Sequence, residues 1–256
     1  MKRQQAYGRR AVAELIESGL EIFEITLVAG GQGKSFNDLK SAAGRRGIRI
    51  VSVSRSQIDR MAPGSKHQGV VAHFRRPRVL QMDDLFNRAP RRPPRPIMIV
   101  DGVQDPRNLG AIIRSVEVLG AGGVVIKRHH ASGLTPAVIK ASAGAALRQP
   151  VAAVSSIDSA VRLMKNKGYW IYGLDEKAEE LIWDVELEGM IGFVLGSEGK
   201  GISRLVRQRC DRLLRIPQTG KVASLNVSVS ASIALAEWLR QNMRNFEQGL
   251  DSGKKK

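Results

Sequence analysis

The sequence predicts an α/β protein. Its larger part is a mostly parallel sheet flanked by helices, and a smaller α/β unit precedes it. Three observations lead there. Aromatic residues make up 5% of the 256 residues and apolar residues 43%, so the core must be built from Val, Ile, Leu and Ala, the composition of buried parallel strands. From Ile97 onward, short apolar runs alternate with segments of helical periodicity, the signature of βαβ units. A stretch rich in Arg and Pro, residues 75–96, separates this series from an earlier and shorter one.

The front unit spans residues 1–74. Ala11–Ser18 has helical spacing and Glu24–Val28 reads as a strand. Asn37 is placed to cap a second helix running through Ala43. Ile48–Val53 alternates as a strand does, and Gly69–Phe74 reads as another. Residues 75–96 then read as a semi-stiff linker with a helical turn near Met82–Phe86. Its arginines either touch phosphates or are merely solvated.

The second unit spans residues 97–243. Ile97–Val100 is a strand, Leu109–Leu119 a helix and Gly123–Ile126 a strand. Thr135–Ala143 is a small-residue helix, Val151–Val154 a strand and Ile157–Asn166 a helix. Tyr169–Gly173 and Ile191–Leu195 are strands, Ser203–Arg209 a helix, Leu213–Ile216 a strand, and Val229–Met243 the last helix. Residues 244–256 read as a basic flexible tail, Gly/Lys-rich and disordered from Asp251.

The formal net charge is +17. Such an excess points to an extended polyanion, most simply nucleic acid, because counterion release rewards it. The competing explanation is the generic basicity of a halotolerant or membrane-surface protein. A single cysteine, Cys210, excludes an internal disulfide framework and reads as a structural thiol. No apolar run reaches membrane length, and the opening MKRQQAYGRR has no apolar signal core. The expectation is a soluble cytoplasmic protein.

Several motifs are excluded by spacing. Gly30–Ser35, GGQGKS, would need a glycine at position 28 to be a phosphate-binding loop, and the chain has Val28. No GxGxxG follows a strand in the second unit, so a dinucleotide-type cofactor grip is excluded. No GxSxG nucleophile elbow occurs. His67, His73, His129 and His130 show no zinc-ligand spacing, and no metal is expected.

Three segments remain, each a strand, a glycine-bearing polar turn and a helix. They are DGVQDPRNLGAIIR (Asp101–Arg114), FVLGSEGKGIS (Phe193–Ser203) and IPQTGKVASLNVSVSASIALAEW (Ile216–Trp238). Small and amide-bearing residues at such hinges let backbone groups approach a ligand. Asn108 sits where the first helix starts and is by itself no more than a cap. Arg114 lies beside the apolar stripe Leu109, Ile112, Ile113 and Val116, where a guanidinium needs either an anion or a route to water. Glu198 among glycines is either a solvated turn carboxylate or part of a site.

Together these segments resemble the signature motifs of the SpoU (TrmH-type) RNA ribose 2′-O-methyltransferases of the SPOUT superfamily. The residues concerned are Asn108-Leu109-Gly110 with Arg114, then Gly196-Ser197-Glu198-Gly199, then Ile216-Pro217 with Ser224-Leu225-Asn226-Val227-Ser228. In the front unit, Tyr7-Gly8 with Ala11-Val12, and His67-Gln68-Gly69-Val70, resemble the ribosomal-protein-like (L30e/L7Ae-like) substrate-binding domain of the subgroup that methylates a guanosine of large-subunit rRNA.

The resemblance implies a trefoil-knotted catalytic domain, a homodimer and S-adenosylmethionine as cofactor. It implies cofactor contacts from Leu195, Gly196, Gly199, Ile216, Pro217, Ser224, Leu225 and Asn226. It makes Asn108, Arg114, Glu198, Ser224 and Asn226 the catalytic neighbourhood. RNA contacts are expected from Arg9, Arg10, Lys34, His67, Arg107 and Arg114. Arg114 is assigned in the family as a general base or as an orienter of RNA phosphate. The second role suits a group that does not give up its proton in proteins and forks naturally onto phosphate. Two other readings stand beside this one: a tRNA ribose 2′-O-methyltransferase, and a non-catalytic RNA-binding protein of ribosome assembly. The apolar last helix, with Ile233, Leu235, Ala236 and Trp238, serves either a dimer or the subunit's own core.

Overall fold

The computed structural model describes residues 3–64, 66–75, 77–89, 93–128, 133–220 and 224–253, with side chains from residue 4 to 243. The chain forms two compact units, one of residues 1–78 with 134–147 and one of residues 79–133 with 148–256.

The front unit holds β1 (Arg3–Tyr7), α1 (Arg9–Glu17), β2 (Ile22–Val28), α2 (Lys34–Arg45), β3 (Ile50–Val53), α3 (Arg55–Met61) and β4 (Val70–Arg75). The sheet order is β1-β4-β2-β3, with only β2 and β3 parallel. Two elements went unread in the sequence. The strand β1 is polar (RQQAY) and gains its identity only by pairing with β4. The helix α3 opens on a capping box, in which Ser54 Oγ accepts from Gln57 N–H while Gln57 Oε1 accepts from Ser54 N–H. Asn37 caps nothing: α2 begins three residues earlier, at a Gly33 cap. The segment Leu134–Leu147, read as part of the second unit, groups with this one. Its helix α6 (Pro136–Ala141) packs on α1, and Lys140 pairs with Glu17 at 2.6 Å.

In the second unit, the helical turn expected near Met82–Phe86 is the helix α4 (Met82–Arg88), set within the expected linker. Leu80, Met82, Leu85, Phe86 and Ala89 are buried in the main core, and Leu80 bridges in parallel to Ala152. Arginine and proline content predicts a semi-stiff linker, but the four apolar side chains Met82, Leu85, Phe86 and Ala89, at helical spacing, bury this part of it. Then follow β5 (Ile97–Val100), α5 (Pro106–Val118), β6 (Gly123–Lys127), β7 (Val151–Val154), α7 (Ile157–Asn166), β8 (Trp170–Leu174), β9 (Glu180–Leu181), β10 (Ile191–Leu195), α8 (Arg204–Arg209), β11 (Arg212–Arg215) and α9 (Val227–Gly253).

The seven strands run β7-β6-β5-β10-β8-β11-β9, every described pair parallel. The central strands β5 and β10 are buried along their whole length, as strands covered on both faces must be. One face carries α4, α7 and α8 around Ile97, Ile99, Val125, Ile171 and Val194. The helices α5 and α9 pack against each other and against β6 and β10.

The last helix extends past the expected Met243 to Gly253, through residues expected to be a flexible tail; residues 254–256 lie outside the described ones. It is held by amide side chains. Gln241 accepts from Leu187 N–H at 2.8 Å and donates to Val185 O at 3.0 Å, and Asn242 Nδ2 donates to Leu187 O at 2.9 Å. Among the described residues, no helix is long and apolar enough to cross a membrane.

Candidate active site

In a parallel sheet all strands end at one edge, and ligands bind in the crevice beyond those ends. Here the turns leaving β8, β10 and β11 line a half-open cavity of about 500 Å³, within the size range of small-molecule sites. Leu195, Gly196, Glu198, Gly199, Ile216, Ser224, Leu225 and Asn226 all line it. Pro217, Asn108 and Arg114 do not.

The turn after β10 is a tight hairpin. Ser197 N–H donates to Gly201 O at 3.0 Å and Gly201 N–H to Ser197 O at 2.9 Å. Its geometry demands glycine. A Cβ on Gly196 would lie 2.0 Å from Gly201 C and 2.2 Å from Ile202 N, so the two arms could not pass. Gly199 and Gly201 hold the tip with φ of +79° and +65°. The feet of the hairpin are tied to β5: Asp101 N–H donates to Leu195 O at 2.8 Å, and Asp101 Oδ2 accepts from Ser203 N–H at 3.0 Å.

Asn108 is no cap. The N-cap of α5 is Asp105, whose carboxylate accepts from Arg107 N–H at 2.8 Å, and Pro106 fills the first helical position. Asn108 therefore lies inside the first turn, 8% exposed, with its side chain committed to a site. Asn108 Nδ2 donates to Glu198 Oε1 at 2.5 Å. Asn226 Nδ2 is shared between Asn108 Oδ1 at 3.1 Å and Glu198 Oε1 at 3.2 Å. Asn226 Oδ1 accepts from Ser228 N–H at 2.9 Å and Ser228 Oγ at 2.6 Å. Three residues distant in sequence thus form one network at the start of α9. The carboxylate, an acceptor only, fixes the orientation of both amides.

Arg114 does not join this network. Six residues along α5, it stands about 9 Å further along the axis and about 120° around it from Asn108, and its side chain is exposed. The helix's apolar residues face inward, so the guanidinium takes the route to water. Ser224 lines the cavity.

The RNA-contact residues divide. Arg10, Lys34 and Arg107 are exposed. Arg9 is half-buried, donating to Ser35 Oγ at 3.0 Å with its guanidinium 4.4 Å over the Phe36 ring. His67 corrects the expectation: it is 5% exposed, with both ring nitrogens engaged. Its Nδ1 accepts from Gly69 N–H at 3.0 Å, so Nε2 carries the proton donated to Asp59 Oδ1 at 2.7 Å. His67 holds the loop before β4 and is not presented to RNA. His129 and His130 lie outside the described residues.

One part of the cavity wall is absent from the sequence reading. The turn after β8, Leu174–Lys177, lines the cavity although it has no glycine. Asp175 accepts from Lys177 N–H at 2.9 Å and pairs with Arg207 Nε at 2.9 Å on the cavity wall. The only signal was a polar turn at the end of a parallel strand. Cys210 behaves as the structural thiol expected: its Sγ donates to Val206 O, and burial pushes its pKa up to about 12. Among the described residues no cluster of three His, Cys, Asp or Glu could hold a metal ion.

The profile of the SpoU rRNA Methylase family matches residues 95–236, and that of the RNA 2′-O ribose methyltransferase substrate-binding domain matches residues 5–80. The chain is 38% identical over 242 residues to the 23S rRNA (guanosine-2′-O-)-methyltransferase RlmB of Xylella fastidiosa, covering 94% of this chain and 97% of that protein. It is 35% identical over 243 residues to the RlmB of Shewanella oneidensis, covering 94% and 99%. Among solved structures, the SpoU methyltransferase AviRb of Streptomyces viridochromogenes in complex with AdoMet superposes with a TM-score of 0.65 at 23% identity, over 94% of this chain and 91% of that one; this likeness concerns the fold alone. By sequence and by fold, the chain belongs to the SpoU rRNA methylase family.

Proposed function

We propose that this chain methylates a ribose 2′-hydroxyl of rRNA with S-adenosylmethionine, and that its target is a guanosine of the large subunit. The observation that carries the reading is the Asn108–Glu198–Asn226 network closing one side of a cavity whose wall is the glycine hairpin. The RlmB relatives, matched over nearly their whole length, bear the name of that activity.

The residues present fit the cofactor. The cavity has the volume for a nucleoside-sized ligand, and Gly196 brings bare backbone to its wall. Leu195, Ile216 and Leu225 supply apolar surface and main-chain groups at the strand ends, and Gly199 and Ser224 complete the rim. When bound, S-adenosylmethionine supplies a methyl group on a cationic sulfur.

The chain's own residues do the rest. A ribose hydroxyl is a weak nucleophile, so the oxygen must be aligned and its proton removed. Alignment of two bound reactants can contribute about 7–11 kcal/mol, and a proton acceptor roughly 10²–10⁴-fold. Glu198 locks the amides of Asn108 and Asn226, which orient the ribose. Arg114 grips an RNA phosphate through its guanidinium fork, and that phosphate takes the proton. Arg10, Lys34 and Arg107 contribute sequence-independent phosphate contacts.

We further propose a homodimer. Leu235 and Trp238 cannot form its face, because both are fully buried in the subunit. What supports it is a second stripe on α9. Val229, Ile233, Ala236 and Met243 follow helical spacing, and Val229 and Met243 are 43% and 46% exposed. The trefoil knot is supported by the insertion of β10 between β5 and β8 and by the place of Ser224, Leu225, Asn226 and Val227 on the wall of the hairpin cavity. An L30e/L7Ae-like front domain is supported by its four-stranded sheet with helices between strands. A cytoplasmic location follows from an rRNA substrate.

The test is methyl transfer from labelled S-adenosylmethionine to large-subunit rRNA, with the product mapped by resistance to alkaline cleavage. A single resistant guanosine linkage is expected. Label on a base, or on tRNA alone, overturns the reading.

A further inference from the structure

The tightest part of the site depends on a residue outside it. Asp101 is 9% exposed at the end of β5. Its backbone N–H donates to Leu195 O at 2.8 Å, where the hairpin begins, and its carboxylate accepts from Ser203 N–H at 3.0 Å, where the hairpin ends. Gly102, with φ +87°, lets the chain turn away with its Cα side against Ser197 Cβ. Ser203 is also the N-cap residue of α8, and its side chain makes no cap hydrogen bond. Its backbone N–H is therefore the anchor, and a buried acceptor is what holds it. Between these two feet lie Gly196, Glu198 and Gly199, all on the cavity wall.

We infer that Asp101 is a positioning residue for cofactor binding. It touches no ligand; it fixes both feet of the hairpin so that the backbone of residues 196–199 stands at the spacing the cofactor requires. This rests on the reading that the cavity takes S-adenosylmethionine.

The test compares wild type with Asp101→Ala, Asp101→Asn and Ser203→Pro, using S-adenosylhomocysteine as probe in calorimetry at a temperature where all are folded. The asparagine variant keeps an acceptor for Ser203 N–H and is expected to bind within about threefold of wild type. The alanine variant leaves that N–H unsatisfied and is expected to bind more weakly by roughly tenfold or more. Ser203→Pro deletes the donor while keeping the local backbone, because Ser203 has φ −60° and proline holds about −65°; it is expected to match the alanine variant. If alanine fails to fold, the proline and asparagine variants still decide.

Affinity for rRNA is expected to stay unchanged, and amide exchange to quicken at Ser197 and Gly201 but not in β5. A purely structural role would lower the unfolding temperature with native probe affinity in the folded protein, and that result overturns the inference. So does an asparagine variant as weak as alanine. Wild type failing to bind the probe at all refutes the cofactor reading instead.

Discussion

Gly196→Ala tests the hairpin most severely. Ordinary van der Waals approach begins near 3.4 Å, and the added Cβ would lie 2.0 Å from Gly201 C, so the far arm must retreat by about 1.4 Å (3.4 − 2.0). The atoms in the way are backbone, which cannot swing aside as a side chain can. The retreat breaks the paired Ser197–Gly201 hydrogen bonds and moves Glu198 away from Asn108 and Asn226. Overpacking of this kind costs about 1–3 kcal/mol of stability, and a 1 Å misplacement in a site can cost about 10²-fold in rate. Gly199→Ala is the control. Its φ of +79° strains an alanine by roughly 1–2 kcal/mol, but its Cβ meets open space, so the hairpin arms stay in place. Calorimetry with S-adenosylhomocysteine and single-turnover methyl transfer should both rank wild type above Gly199→Ala and Gly199→Ala well above Gly196→Ala. Equal cofactor affinity for wild type and Gly196→Ala would mean that the hairpin's close approach at Gly196 does not shape the cofactor site.

Arg114→Lys should lower methyl transfer on the order of 10²-fold, because lysine lacks the fork, while cofactor affinity stays native since Arg114 does not line the cavity; undiminished transfer contradicts the phosphate role. Glu198→Ala should cost about 1–3 kcal/mol in denaturant unfolding by leaving the buried Asn108 amide unsatisfied, and should abolish most transfer; native stability would mean the network is not formed. Cys210 should resist thiol reagents at pH 8 in the native protein and react on unfolding, since a thiol of pKa about 12 is about 10⁻⁴ thiolate there. The raised pKa also has a sign: from the ordinary 9.0 up to about 12, the folded chain keeps a proton that the unfolded chain has lost, so this contribution is intact below pH 9 and disappears as pH rises through that window. Sedimentation should give a species of twice 28.0 kDa, and Val229→Glu with Met243→Glu should shift it to monomer; a wild-type monomer refutes the dimer.

The parallel sheet was legible because its strands are short, apolar and regularly spaced. Ile157–Asn166, Ile97–Val100 and Ile191–Leu195 coincide with the observed elements. What escaped depends on partners far away in the chain. The polar β1 is a strand only because β4 is beside it, and the linker helix is buried only because β7 and α7 lie under it. Helices start earlier than their apolar periodicity predicts where glycine or aspartate caps them, at Gly33 and Asp105. In the site, glycine-rich turns announced themselves, whereas the Asp175 turn and the Asp101 anchor did not. Their roles come from the sheet order, which sequence spacing alone does not give. His67 departs from its expected RNA contact because a histidine's burial and its two ring partners are invisible in sequence.

In the proposed function the turns leaving β8, β10 and β11 form one cradle for the methyl donor beside the Asn108–Glu198–Asn226 network. A crystal structure with S-adenosylhomocysteine tests it most directly. The ligand is expected in contact with the backbone of Gly196 after β10 and of Ile216 and Leu225 after β11 at once, its sulfur facing Asn226. Ligand bound elsewhere, or in contact with only one of these turns, contradicts it.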